Sequence, residues 1–167
     1  MTENALVAEA VARHQTQLTR YSTRLLKDPD LASDVVQEAF GRLRSTEPPP
    51  KCMRAWLYRV ARNFSLDLLR KRARSEPLEN PDWLAAETRN SDPASLAQQN
   101  EENAMLLEEM NALPSRQREV VRLKFQEGLT YAEIADVTGE TKANVGWLLH
   151  SAIKSLREKL NPEGATA

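Results

Sequence analysis

Apolar positions along this chain recur at spacings of three, four and seven, the signature of helices with one buried face. Leu6, Val7, Ala10, Val11, Leu18, Tyr21, Leu25 and Leu26 predict a long helix over residues 4–27. Asp28-Pro29-Asp30 interrupts it: proline disfavours helix at the residue before it, and Asp30 is the expected N-cap of the next helix. That helix spans residues 31–44, with Leu31, Val35, Val36, Ala39, Phe40 and Leu43 on one stripe. Asp34, Gln37 and Glu38, at i, i+3 and i+4, share the opposite side, which by itself needs no role beyond solvation. Glu47-Pro48-Pro49-Pro50 ends the element, since three prolines exclude helix.

Beyond the prolines, Met53, Trp56, Leu57, Val60 and Ala61 form the inward face of one helix, and Leu66, Leu68 and Leu69 that of a second. Arg62-Asn63-Phe64-Ser65 lies between them, and Asn63 or Ser65 is suited to cap the second helix. A short break fits there; periodicity leaves a bend open. Periodicity fades over residues 76–100, which hold Pro77, Pro81 and Pro93 among Asn, Asp, Ser and Glu, and predict a flexible acidic linker.

The helical pattern returns near Glu101 with Met105, Leu106, Glu109 and Met110. Ser115 is the expected N-cap of a helix through Phe125, whose apolar set is Val120, Val121, Leu123 and Phe125. Gly128 suits a left-handed helix end. Thr130 and Glu133 match a capping box opening a short helix over residues 131–137, and Gly139 is free to take positive φ in the turn that follows. Thr141 caps a last helix to about residue 160, packed through Val145, Leu148 or Leu149, Ala152, Ile153 and Leu156. Short helix, glycine turn and longer helix make the helix-turn-helix pattern, which lays its second helix in the DNA major groove. A plain helical hairpin has a similar outline. Ala135, Gly139 and Val145 nevertheless fall where the DNA-binding unit wants a small residue, a turn glycine and a buried aliphatic. The expectation is an all-α chain with domains at 1–75 and 101–162 around a 76–100 linker.

Composition narrows the chemistry. With 41% hydrophobic residues in 167, the chain affords a real but modest core. The single cysteine, Cys52, rules out a disulfide framework or a cysteine zinc site and fits a reducing cytoplasm. No apolar run is long enough to span a membrane, and the N-terminus lacks a signal peptide's apolar stretch. No His/Cys cluster, glycine-rich phosphate loop or nucleophile constellation points to catalysis, so neither enzyme activity, metal nor cofactor is expected; His14 and His150 lie far apart. The net charge of −1 hides an alternation: Lys51 to Arg74 carries eight basic residues against Asp67, whereas residues 76–111 hold nine acids against Arg89. Trp56, Tyr58 and Phe64 stand among those cations. Cations that track phosphate and rings that stack on bases suit single-stranded nucleic acid. A solvated basic helix face over an aromatic core has the same composition.

Four motifs carry a resemblance that extends over nearly the whole chain. DVVQEAF (34–40), RAWLYRVARNFSLDLLRKR (54–72), LPSRQREVVRLKF (113–125) and GLTYAEIADVTG (128–139) resemble bacterial extracytoplasmic-function sigma factors of the sigma-70 family, in family order. The resemblance implies two sigma domains, a region 2 bundle and a region 4 helix-turn-helix, on a linker. It implies that Asp34, Gln37 and Glu38 dock on core RNA polymerase. It implies that Tyr58, Arg59, Arg70 and Arg72 contact the minus-ten strand, and that a loop of Arg62, Asn63, Phe64 and Ser65 captures a flipped base, Asn63 foremost. Trp56 is expected in the core. Thr141, Lys142, Asn144, Trp147, His150 and Lys154 are the expected minus-thirty-five contacts. The implied partners are core RNA polymerase, promoter DNA as duplex and melted non-template strand, and an anti-sigma factor.

The last helix departs from the family, in which several cations often follow the buried valine. Here they are sparse, and Gly146 weakens the helix by roughly 1 kcal/mol relative to alanine. Gly146 could admit close approach of DNA backbone or a partner. Trp147 is left open among groove, core and protein partner. The competing readings are a stand-alone helix-turn-helix regulator with a helical partner domain and, below it, a protein-binding adaptor.

Overall fold

The computed structural model describes residues 3–75 and 101–161, where every regular element is an α-helix. In chain order these are α1 (Glu3–Leu26), α2 (Pro29–Arg44), α3 (Met53–Ser75), α4 (Glu101–Asn111), α5 (Ser115–Phe125), α6 (Tyr131–Thr138) and α7 (Lys142–Leu160). The linker expected over 76–100 lies outside the described residues. The helices fall into two compact units: α1 to α3 in one, and α4, α5, α7 and the start of α6 in the other.

In the first unit the three helices pack on one another. The turn into α2 corrects one expectation. Asp28, not Asp30, is the N-cap, and its carboxylate accepts from the backbone N–H of Asp30 at 3.0 Å and of Leu31 at 3.3 Å. Pro29 takes the first helical position, where a missing N–H leaves nothing unpaired, and Asp30 sits in the first turn, where the helix dipole favours an acid.

A second correction concerns α3. The helix runs unbroken from Met53 to Ser75, so Arg62 to Ser65 form no loop and neither Asn63 nor Ser65 caps a helix. The reason lies in its neighbours. No glycine or proline interrupts it, and both halves bury side chains: Ala55, Leu57, Tyr58, Val60 and Ala61, then Ser65 and Leu69. Breaking the backbone ladder between two packed halves would orphan several N–H and C=O groups for the sake of one cap. Leu18, Leu26, Leu57 and Tyr58 are fully buried at the centre, each leucine contributing roughly 1.5–3 kcal/mol over an exposed position.

In the second unit α7 packs against α4 and α5. Val120, Leu123, Leu129, Ile134, Val145 and Leu149 form its core. The end of α4 is held by arginines: Arg118 Nη1 donates to the Asn111 carbonyl at 2.8 Å, and Arg122 Nη2 to Asn111 Oδ1 at 2.6 Å. Arg118 is buried, and a charged donor there satisfies a helix-end carbonyl that has no partner of its own. Ser115 is the first helical residue rather than the cap; Pro114 holds the cap position and offers no side-chain bond. Phe125, expected in the apolar set, is 62% exposed at the last position of α5, where the helix ends beyond the buried Val120, Val121 and Leu123.

Candidate nucleic-acid interface

Four cations and one amide occupy the open side of α3, and a fifth exposed cation, Arg72, continues the line of the packed stripe beyond Leu69. Arg59, Asn63, Arg70, Lys71, Arg72 and Arg74 are exposed, while Tyr58, Ala61, Ser65 and Leu69 face inward at spacings of three and four. From Arg59 to Arg74 the exposed side extends about 22 Å at 1.5 Å per residue, the length of roughly six phosphates at the rise of a duplex strand and of fewer on an extended single strand. Asp67 is the acid on this side, and its carboxylate takes an Nη1 contact from Arg70 at 3.2 Å. Arg72 Nη2 stands 4.0 Å from Asp28 Oδ2. These ion pairs are exposed and hold their arginines weakly, so phosphate can compete for them.

Two residues expected at the strand are inside. Tyr58 is fully buried, its ring edge-on to Tyr21 with centroids 5.2 Å apart and planes at 63°. Ser65 is fully buried as well, and its hydroxyl finds no hydrogen-bond partner among the described residues. Their place on the inward stripe keeps them off the exposed basic side of α3. Trp56 and Phe64 are half-buried. Phe64 lies under the guanidinium of Arg42, whose carbon is 4.1 Å from the ring centroid. Arg62 is half-buried and Asn63 exposed.

On α2, Asp34, Gln37 and Glu38 are exposed opposite the buried Val35, Val36, Ala39 and Phe40. The same face continues one turn on to Arg42, whose Nε is 4.0 Å from Glu38 Oε1. It therefore changes sign along its length, acidic first and basic at the end. Sequence reasoning missed Arg42, which is 22 positions from Phe64 and has no local pattern linking the two.

Around α6 and α7 the local capping is as expected. Glu133 and Thr130 exchange hydrogen bonds, with the Thr130 N–H donating to Oε1 and the Glu133 N–H to Oγ1, each at 3.1 Å. Gly128 and Gly139 take φ of 70° and 79°, which other residues adopt only with strain. Thr141 Oγ1 accepts from the Asn144 N–H at 3.0 Å. Trp147 is 62% exposed, and Lys142, His150 and Lys154 are exposed too. Trp147, His150 and Lys154 share one side of α7. Asn144 is only half open: its amide donates to Glu140 Oε2, and Glu140 Oε1 also lies 3.4 Å from Arg116 Nη1. Gly146 faces the ring of Tyr131, where an added Cβ would meet Cε2 at an ordinary 3.7 Å. That side of Gly146 is therefore occupied by a ring of the same unit. Lys124 Nζ lies 5.3 Å from the centroid of that ring, a cation over its face.

Among the described residues no three His, Cys, Asp or Glu side chains converge as a metal site would require, and no described helix is long and apolar enough to cross a membrane.

Comparison with known proteins covers both units. A family model described as Sigma-70 region 2 matches residues 10–75, and one described as Sigma-70, region 4 matches residues 103–156. The chain is 30% identical over 175 aligned positions to the ECF RNA polymerase sigma factor SigL of Mycobacterium tuberculosis, covering 98% of this chain and 94% of that one. It is 27% identical over 165 to the RNA polymerase sigma factor SigV of Bacillus subtilis, covering 97% and 95%. In fold it is similar to the sigma factor RpoE of Bartonella quintana, solved in complex with the anti-sigma factor NepR, with a TM-score of 0.68 at 22% identity over 93% of this chain and 97% of that one.

Proposed function

The chain belongs to the extracytoplasmic-function sigma factors of the sigma-70 family, and from that premise we propose how its surface divides the work of promoter-directed transcription initiation. It is an RNA polymerase sigma factor, a class whose members are in general not enzymes, and its partners are core RNA polymerase and promoter DNA. Residues 1–75 form the polymerase- and minus-ten-binding domain, 76–100 the linker, and 101–162 the minus-thirty-five-binding domain. The protein works in the cytoplasm, with its polymerase. A stand-alone helix-turn-helix regulator would have no use for a region 2 match over residues 10–75.

Asp34, Gln37 and Glu38 present the acidic half of the α2 face to the polymerase. On α3, Asn63 reads a base of the non-template strand, Arg59, Arg62, Arg70 and Arg72 hold phosphate, and Phe64 contributes the ring. Thr141, Lys142, Trp147, His150 and Lys154 face the minus-thirty-five element; Asn144 joins them by exchanging Glu140 for a base edge. A protein without ATP opens a duplex only by binding the separated strand more tightly than the paired one. The observation that carries this reading is the exposed side of α3, with cations at Arg59 and again at Arg70, Lys71, Arg72 and Arg74 and the exposed amide of Asn63 between them. An anti-sigma partner is proposed on family grounds, with the exposed Trp147 as the anchor on this chain.

Run-off transcription with core polymerase on a promoter library tests the whole. Promoter-dependent initiation is expected; DNA binding by the chain without any such initiation would sink the sigma reading. Asn63→Ala should relax base preference in the minus-ten element and leave core affinity intact. Asp34→Ala with Gln37→Ala should do the opposite. An Asn63→Ala effect on stability alone rejects the assignment of that residue.

A further inference from the structure

We propose that Arg42 and Phe64 form a two-layer stacking platform for an unstacked base of the melted strand, making Arg42 a DNA-binding residue at the boundary of the polymerase surface. The proposal rests on the reading of α3 as the minus-ten strand site. The guanidinium of Arg42 reaches from α2 across to α3, its carbon 4.1 Å from the Phe64 ring centroid. At that distance the cation is drawn to the ring face. Phe64 therefore does not offer that face to solvent, and a base arriving from this side meets the guanidinium first.

The arginine side chain remains 58% exposed, so its outer face is open. In the proposed platform the planar guanidinium lies face to face with the ring, its other face accepts a base, and the N–H groups at its edge serve phosphate. Asn63 is exposed and precedes Phe64 on α3, and the proposal gives it the edge of a base so held. Glu38 also lies near Arg42, but its Oε1 is 4.0 Å from Nε, beyond hydrogen-bond distance, and 59% exposed. A contact of that kind is screened and does not compete with the ring. On this proposal, once polymerase covers the acidic half of the α2 face, Arg42 is left at its rim, oriented by Phe64 alone.

The test uses holoenzyme assembled from the full chain and core polymerase, titrated with a fluorescein-labelled promoter fork. Its non-template strand is single-stranded through the minus-ten element, and its promoter is one selected by run-off transcription. Arg42→Ala is expected to weaken fork binding roughly tenfold, the scale of one lost base stack. Arg42→Lys keeps the charge and loses the plane, and is expected to stay within about twofold of Arg42→Ala. Phe64→Leu weakens binding as well, and in that background Arg42→Ala has little further effect, as for two members of one stack. Wild-type binding by Arg42→Ala overturns the proposal. So does wild-type binding by Arg42→Lys, which would make the residue a phosphate contact only. Core affinity is measured for every variant, and a loss there that accounts for the whole effect would return Arg42 to the polymerase surface. Fork binding by the unaltered chain that ignores the minus-ten sequence would remove the reading of α3, and the platform with it.

Discussion

Ser65 and His14 show how burial decides what a polar side chain can do. The Ser65 hydroxyl is enclosed without a hydrogen-bond partner among the described residues, so it costs stability. Ser65→Ala is expected to leave the folding stability unchanged or raise it by up to about 1 kcal/mol, measured by thermal unfolding, with minus-ten preference intact. A destabilised variant, or one with altered base preference, would restore the residue to the strand site. His14 is half-buried, and its pKa is lowered from 6.5 by burial first and then by the cations of Arg54 and Arg13. Its folded form binds a proton less readily than its unfolded form, so its contribution is fully present above pH 6.5 and is lost as pH falls below 6.5 toward the lowered folded value. Thermal unfolding at about pH 7.5 and about pH 5 should therefore show a smaller acid loss for His14→Gln than for the unaltered chain. Equal losses would remove His14 from the acid response.

At the scale of the element, what was legible was what is local. The Thr130–Glu133 box, the Thr141 cap and the positive φ of Gly128 and Gly139 each depend on residues within a turn of one another. The continuity of α3 depends on whether both of its halves find a core, which capping chemistry at Asn63 cannot reveal. Tyr58 was readable after all: positions 58, 61, 65 and 69 step by three and four, and that stripe outranks the suggestive company of Arg59. Arg42 on Phe64 and Arg118 on the Asn111 carbonyl join separate helices, and their spacing in sequence carries no trace of the contact. The same scale governs Gly146. An added methyl there meets Tyr131 at ordinary van der Waals distance, and alanine is the better helix former by roughly 1 kcal/mol. Gly146→Ala should raise the stability of the second unit without weakening minus-thirty-five binding, measured by melting and by promoter footprinting. Weaker footprints from a more stable protein would show that DNA needs the bare backbone.

For the molecule as a whole, the near-zero net charge conceals opposite surfaces, and ionic strength exposes the difference. If the five cations of the α3 stripe each neutralise one phosphate of a single strand, the logarithm of affinity should fall with the logarithm of salt concentration at a slope near −3.5. Arg74→Ala should reduce that slope by about 0.7, measured by fork titration from low to moderate salt. An unchanged slope would take the end of α3 off the strand path. The two-unit, all-helical plan was legible from periodicity and prolines, but the exposed basic side of α3 was only partly so, because composition counts the cations of a helix without saying which side they take.

The unbroken course of α3 bears on where ordering costs fall. Amide protons of Arg62 to Ser65 belong to one hydrogen-bonded ladder with those of Val60 and Leu69, so they should exchange with deuterium in the same slow class. A loop would instead exchange quickly when free and slow down on binding. With the helix already formed, the conformational entropy surrendered on capture belongs chiefly to the DNA strand, and the protein meets it as a prepared rod.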